Sequence, residues 1–230
     1  MAILTLVLNG ELSYEDTAGK RGEVSAGGIE WMKSGNGGWL EGHAASGAPL
    51  RVFQLWIALS PSETSSAAES EYIAPQELEL DGAVGVLLGQ FGRARSRIRG
   101  APTGTNYFHV RLEDGQRWSY AAPDGHNVTW LAVDRGRLRS QQGERVHWGQ
   151  IAVFGDSRGV IEMQADGETS FVLGSARRYP IRSCWASTRP SRPDAARAGG
   201  SFLRPRDRSD LVGARRPVIM VRHLPGRNAA

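Results

Sequence analysis

Apolar positions along this chain fall in short runs rich in β-branched and aromatic residues, and Gly, Asp and Asn separate them. That pattern predicts strands rather than helices. Residues 4–8 read as a strand, Asn9-Gly10 as a hairpin turn and residues 11–15 as the returning strand. The segment DTAGKRG turns the chain again, and residues 29–32 and 50–59 are further strands. A small, polar stretch at 60–72, SPSETSSAAESEY, then interrupts the pattern as a linker or surface loop. Beyond it, strands are predicted at 84–88, 107–112, 116–120, 128–133, 150–154, 160–164 and 170–173. No helical stripe of useful length occurs. The prediction is an all-β chain of two units, 1–60 and 75–175, joined by a linker at 61–74. Strands this short and numerous suit sandwiches or barrels.

From residue 176 the pattern stops. The last 55 residues are dense in Arg, Pro and Ser, the composition of a disordered tail. They hold 13 arginines and no lysine against Asp194, Asp207 and Asp210, a local charge of +10. The whole chain of 230 residues carries only +4, so residues 1–175 carry −6. The body is therefore acidic, and the basic balance does not argue for nucleic-acid binding by it. The tail alone would bind nucleic acid weakly and without sequence preference. The single cysteine, Cys184, excludes an internal disulfide and fits a cytoplasmic location. No apolar run approaches the roughly 20 residues of a membrane span. The opening MAILTLVLNG reads as a strand rather than a signal peptide.

Candidate chemistry is sparse. Residues 35–47, GNGGWLEGHAASG, place Glu41 and His43 two positions apart in a glycine-rich stretch. A remnant metal site and a solvent-exposed turn both account for them. The segment GDSRG at 155–159 fits the Gly-x-Ser-x-Gly nucleophile pattern, but strands on both sides make it a hairpin turn. The glycosylation triplet at 127–129 has no secretory context. Arg93, Arg95, Arg97 and Arg99 share one face of an extended segment, either as a phosphate-binding stripe or as a solvated surface. His109, His126 and His147 lack mutual ligand spacing. Trp31, Trp56, Trp118 and Trp130 lie on strands, where core filling is expected.

Three stretches carry a family resemblance. They are LTLVLNGELSYEDTAGKRGEVSAGGIEWMKSGNG, FQLWIALSPS with the later EYIAPQEL, and NYFHVRLEDGQRWSYAAPDGHNVTWLAVDRGRL. In order and spacing they resemble the pirin family of cupin-superfamily bicupins, over most of residues 3–175. The resemblance implies two packed jelly-roll barrels, with one metal, usually iron (Fe2+), in the first. It implies metal-dependent dioxygenase activity on flavonols such as quercetin, or a regulatory role through a transcription-related protein partner.

The ligand pattern departs from the family's. Its His-x-His pair would lie upstream of Met1, its third histidine falls at Leu40 and its glutamate at Gly42. Imidazole and carboxylate donors suit iron, and none of the four is in place. The expectation is a first barrel incomplete at its start and open at an edge, hence prone to aggregate. Iron is not expected to be bound, no catalytic residue is assigned, and a small aromatic substrate would need an intact site. Glu41 and His43 are the remaining metal candidates. The readings carried forward are an inactive dioxygenase relative, a protein-binding bicupin and a degraded gene product, with no membrane and no specific nucleic acid as partner. The tail departs as well. Back-translated with GC-rich codons and read two bases on, residues 181–188 give the family-like Pro-Phe-Val-Leu-Gly-Phe-Tyr-Ser, which implies a frameshift near 176–178.

Overall fold

The computed structural model describes residues 1–178, apart from residues 36, 46–48, 60–62, 64 and 156–158. The expected disordered tail and the frameshift segment beyond 178 lie outside the described residues. Seven strands come first: β1 (Ala2–Asn9), β2 (Glu11–Asp16), β3 (Arg21–Ser25), β4 (Ile29–Lys33), β5 (Leu40–Ala44), β6 (Arg51–Ile57) and β7 (Glu69–Ile73). A 3-10 turn at Pro75–Glu77 follows. Twelve more strands complete the described chain. They are β8 (Leu80–Asp81), β9 (Val84–Leu88), β10 (Gln90–Phe91), β11 (Ala94–Arg95), β12 (Thr105–Leu112), β13 (Arg117–Tyr120), β14 (Val128–Arg135), β15 (Arg137–Ser140), β16 (Arg145–His147), β17 (Ile151–Phe154), β18 (Ile161–Ala165) and β19 (Thr169–Ala176). No helix among the described residues is long and apolar enough to cross a membrane.

The strands form antiparallel sheets in four layers. In the first barrel, β3-β2-β5 covers β6-β1-β4-β7. In the second, β17-β14-β19-β12-β9-β8 faces β13-β18-β15-β16. The two larger sheets pack back to back over one shared core, and Leu4, Leu6, Ile29, Trp31 and Phe53 meet Leu87, Tyr107, Trp130, Ala132 and Val172 there. Both barrels belong to a single compact unit. This layering explains the residue patterns. Strands of the inner sheets are covered on both faces and are apolar nearly throughout, as in VGVLL of β9 and ILTLV of β1. Strands of the outer sheets alternate, as in RWSY of β13, where Trp118 and Tyr120 are buried and Arg117 and Ser119 are not.

Several sequence expectations need correction. Asn9-Gly10 does not close a hairpin: β1 pairs with β4 and β6, whereas β2 pairs with β3 and β5. Gly10 carries the chain from one sheet to the other at φ 81°, with the Pro49 carbonyl 2.7 Å from where a Cβ would stand. The second half of the expected linker is β7, which pairs with β4 and completes the inner sheet of the first barrel. The glycine-rich stretch around Glu41 is likewise a strand, β5. The centre of GDSRG, residues 156–158, lies outside the described residues; the strands on either side of it, β17 and β18, belong to different sheets and are not paired as a hairpin. Trp31, Trp118 and Trp130 fill cores, but Trp56 is 39% exposed.

Candidate functional site

The interior of the first barrel is defined by strand alternation. On β2, Leu12, Tyr14 and Asp16 point inward; their partners are Ala44, Gly42 and Leu40 on β5. The inward positions of β5 are therefore Leu40, Gly42 and Ala44, and a Cβ on Gly42 would stand 3.0 Å from the Leu12 side chain. Glu41 and His43 pair with Glu15 and Ser13 and face outward, exposed. With Glu15, Arg21 and Glu23 they line a shallow depression on the outer surface. Among the described residues, no group of three His, Cys, Asp or Glu side chains is placed to hold a metal ion.

On the inner sheet, Gln54, Thr5, Glu30 and Tyr72 stand side by side on β6, β1, β4 and β7 and form a polar row across it. Gln54 Nε2 donates to Thr5 Oγ1 at 3.3 Å. The Tyr72 hydroxyl donates to Asp16 Oδ2 at 2.6 Å, which bridges the two sheets. The Tyr72 ring stacks on Tyr14 with centroids 3.5 Å apart. Asp16 Oδ1 accepts the amides of Ala18 and Lys20 and so closes the β2–β3 turn. Burial opposes the charge of Asp16. The Ser70 and Tyr72 hydroxyls and the two amides outweigh it and hold the carboxyl below its usual range.

Glu30 is in the opposite position. It is 2% exposed, and its Oε1 has no hydrogen-bond partner among the described residues. Burial pushes its carboxyl up to about 7, against the help of the Thr5 hydroxyl and with a further push from the Asp16 charge. Two carboxyls in one barrel are thus split in affinity for a proton, one charged and one near half-neutral at pH 7. Sequence reasoning missed this pair. The available signal was an acidic residue inside the otherwise apolar run Ile29-Glu30-Trp31-Met32.

The three histidines do not converge. His109 is buried, and its Nε2 lies 3.0 Å from Ser170 Oγ, which donates to Asp134 Oδ2. Burial and then the Arg111 charge push its imidazole down to about 3. Its partner order, His–Ser–Asp, puts the hydroxyl in the middle, so it is no nucleophilic triad. His126 Nδ1 meets Ser175 Oγ at 2.8 Å at another end of the second barrel. His147 is exposed on β16. Arg93, Arg95, Arg97 and Arg99 are all exposed, and the backbone amides of Arg93, Arg95 and Arg99 are held by Asp81, Glu79 and Glu71.

Residues 1–57 match the family model described as Pirin. A Pseudomonas aeruginosa protein named as a quercetin 2,3-dioxygenase is 32% identical over 158 residues, covering 62% of this chain and 53% of its own. Mouse (Mus musculus) pirin is 28% identical over 187 residues, covering 76% and 63%. The chain belongs to the pirin family. It spans about half to two thirds of the length of these curated relatives. Among solved structures, the protein GK1651 from Geobacillus kaustophilus superposes with a TM-score of 0.69 at 18% identity, covering 78% of this chain and 76% of its own. The Escherichia coli bacterial pirin YhhW, solved in complex with nickel(II), gives 0.61 at 19%, covering 78% and 73%. These structural likenesses establish the bicupin fold.

The pirin resemblance implies a metal in the first barrel, so the fit can be tested. The inward β5 positions offer no donor. The side chains that do face inward with polar groups include Asp16, Glu30, Thr5, Gln54, Ser70 and Tyr72, and apart from the Gln54 amide nitrogen, which cannot ligate a metal as it stands, they present oxygens. Oxygen donors without imidazole suit hard cations rather than iron or nickel. Asp16 is already committed to Tyr72 and two amides. The residues present do not fit the family's metal.

Proposed function

We propose that this chain is a pirin related to the quercetin 2,3-dioxygenases whose first barrel does not itself carry the dioxygenase reaction. The observation supporting this is the phase of β5: its inward side chains are Leu40, none at Gly42, and Ala44, and its only candidate ligands, Glu41 and His43, face outward. The flavonol chemistry named for relatives needs a metal with open coordination positions, which a barrel interior packed by the Tyr14–Tyr72 stack does not offer. A two-barrel scaffold that binds a protein partner, such as the transcription-related partner implied by the resemblance, is the function this reading leaves to the chain. The test is oxygen uptake by the purified chain with quercetin and added ferrous iron or nickel(II). The expected rate equals that of metal and quercetin without protein. Saturable, protein-dependent turnover would overturn the reading.

A further inference from the structure

β17 is the outermost strand of the six-stranded sheet, and among the described residues no strand pairs with its far side. One bond fixes the phase of its backbone. The Val133 amide donates to the Gln150 carbonyl at 3.1 Å. In an antiparallel ladder, hydrogen-bonded pairs recur at every second residue. Leu131 with Ala152 and Thr129 with Phe154 are therefore the bonded pairs, and Ile151 and Val153 stand opposite Ala132 and Trp130 without bonding to them. The N–H and C=O groups of Ile151 and Val153 point away from β14, to the open edge.

The side chains follow the same parity. Ala152 and Phe154 pack on the interior of the second barrel. Ile151 and Val153 share a face with Ala132 and Trp130, which belong to the core shared by the two inner sheets. They carry that apolar face past its cover and are 41% and 67% exposed. Strand edges are ordinarily protected by a charge, a proline or a bulge. The other outermost strands of the four larger sheets, β3, β5, β6, β7, β8, β13 and β16, each contain a charged residue. β17, Ile-Ala-Val-Phe, contains none.

We propose that β17 is a self-association edge whose occupant is β17 of a second copy of this chain. The open backbone groups select an extended strand, and the apolar side chains beside them select one with apolar residues at alternate positions. β17 itself has both properties. Antiparallel pairing about a two-fold axis at Ala152 sets Ile151 opposite the partner's Val153, and Val153 opposite the partner's Ile151. That register leaves no donor or acceptor of either residue unmatched and lays isoleucine beside valine across the seam. It also joins the two uncovered extensions of the shared core, so the new contact is continuous with the interface between the barrels. Two strands of four residues bury less than the roughly 1,600 Å² of a standard interface, so the dimer is reversible. The pairing does not depend on whether the first barrel holds a metal.

Analytical sedimentation of the full chain at increasing concentration, with amide hydrogen exchange on the same samples, tests the assignment. A monomer–dimer equilibrium is expected, with a Kd on the order of 100 μM for so small a contact. The amides of Ile151 and Val153 exchange freely in dilute protein and become protected as the dimer forms, whereas those of Ala152 and Phe154, bonded to β14, are protected throughout. Val153→Lys places a charge at the seam and weakens the dimer at least about tenfold. Leu80→Lys, at the opposite edge of the same sheet and 69% exposed in the unmodified chain, leaves it unchanged. The exchange pattern of the unmodified chain decides the matter even where a variant does not fold. A chain that stays monomeric up to about tenfold above that Kd would overturn the proposal and leave the edge to a strand of another protein or to none. Protection of Ile151 and Val153 at every concentration would overturn it by showing the edge filled within one chain. A dimer broken by Leu80→Lys, or untouched by a folded Val153→Lys chain, would overturn it by placing the contact elsewhere.

Discussion

Tyr72 on β7 and Asp16 on β2 meet across the interior of the first barrel, hydroxyl to carboxylate, at 2.6 Å. The bond ties the strand that closes the inner sheet to the turn that closes the outer one. Tyr72→Phe keeps the ring stacked on Tyr14 and removes only the hydroxyl. A hydrogen bond to a charged group contributes about 1.5–3 kcal/mol, so a loss of that order is expected in denaturant unfolding. A change of less than about 0.5 kcal/mol would show that the bond does not hold the two sheets together.

Glu30 gives the barrel a pH dependence. Its folded pKa, about 7, lies above its ordinary value of 4.5. The folded state therefore holds the proton more tightly than the unfolded state. The stability this confers is present below pH 4.5, declines as pH rises to about 7 and is gone above it. Asp16 has the opposite sign: its folded pKa lies below 3.8, so its contribution is lost only in acid. Glu30→Gln should remove the decline. At pH 8 it is expected to be more stable than the unmodified chain, by up to about 3 kcal/mol if the whole shift is realised. Unfolding midpoints of the two proteins between pH 4 and 8, each within roughly a unit of the transition, provide the check. Parallel curves would rule out Glu30 as the group responsible.

The shared core couples the barrels. Trp31 is fully buried between the two inner sheets, packed with residues from both. Trp31→Ala should cost about 3–5 kcal/mol. It should also lower the protection of amides in β14 and β19, not only those of β1 and β4, in native-state hydrogen exchange. Exchange rates raised in the first barrel alone would mean that the barrels unfold independently.

The ion pairs differ in weight. Asp134 is buried and holds both Arg51 and Ser170, so Asp134→Ala is expected to destabilise by about 3–5 kcal/mol. Arg135 and Glu168 are paired at 3.2 Å but mostly exposed. Glu168→Ala should cost no more than about 1 kcal/mol. Thermal unfolding of the two variants side by side would reveal the contrast, and similar shifts would contradict it.

Much of the fold was legible in the sequence because strand cores follow local patterning. The run at 84–88 is β9 to the residue, and residues 128–133 lie within β14. What escaped was set by tertiary pairing. β5, with its glycines, His43 and Glu41, has no apolar alternation, and only its register with β2 makes it a strand. β7 was hidden by a small, polar composition, yet Ile29 and Glu30 pair with Ile73 and Tyr72. Asn9-Gly10 carries a strong local hairpin signal, but the buried faces of β1 commit that strand to partners farther along the chain. At the site, the outcome depended on parity. The sequence put Glu41 and His43 next to the expected ligand positions, and a strand sends neighbours to opposite faces. Glu30 escaped because one carboxylate in an apolar run reads as a surface interruption until its strand is found covered on both sides.

Metal content decides whether the first barrel can hold iron or nickel without inward-facing ligands on β5. The purified chain would be equilibrated separately with ferrous iron and nickel(II), desalted and measured by elemental analysis. The expected content is far below one equivalent of metal per chain, unchanged by Glu41→Ala or His43→Ala. One equivalent of metal, abolished by either substitution, would contradict it and make the outer face of β5 the metal site.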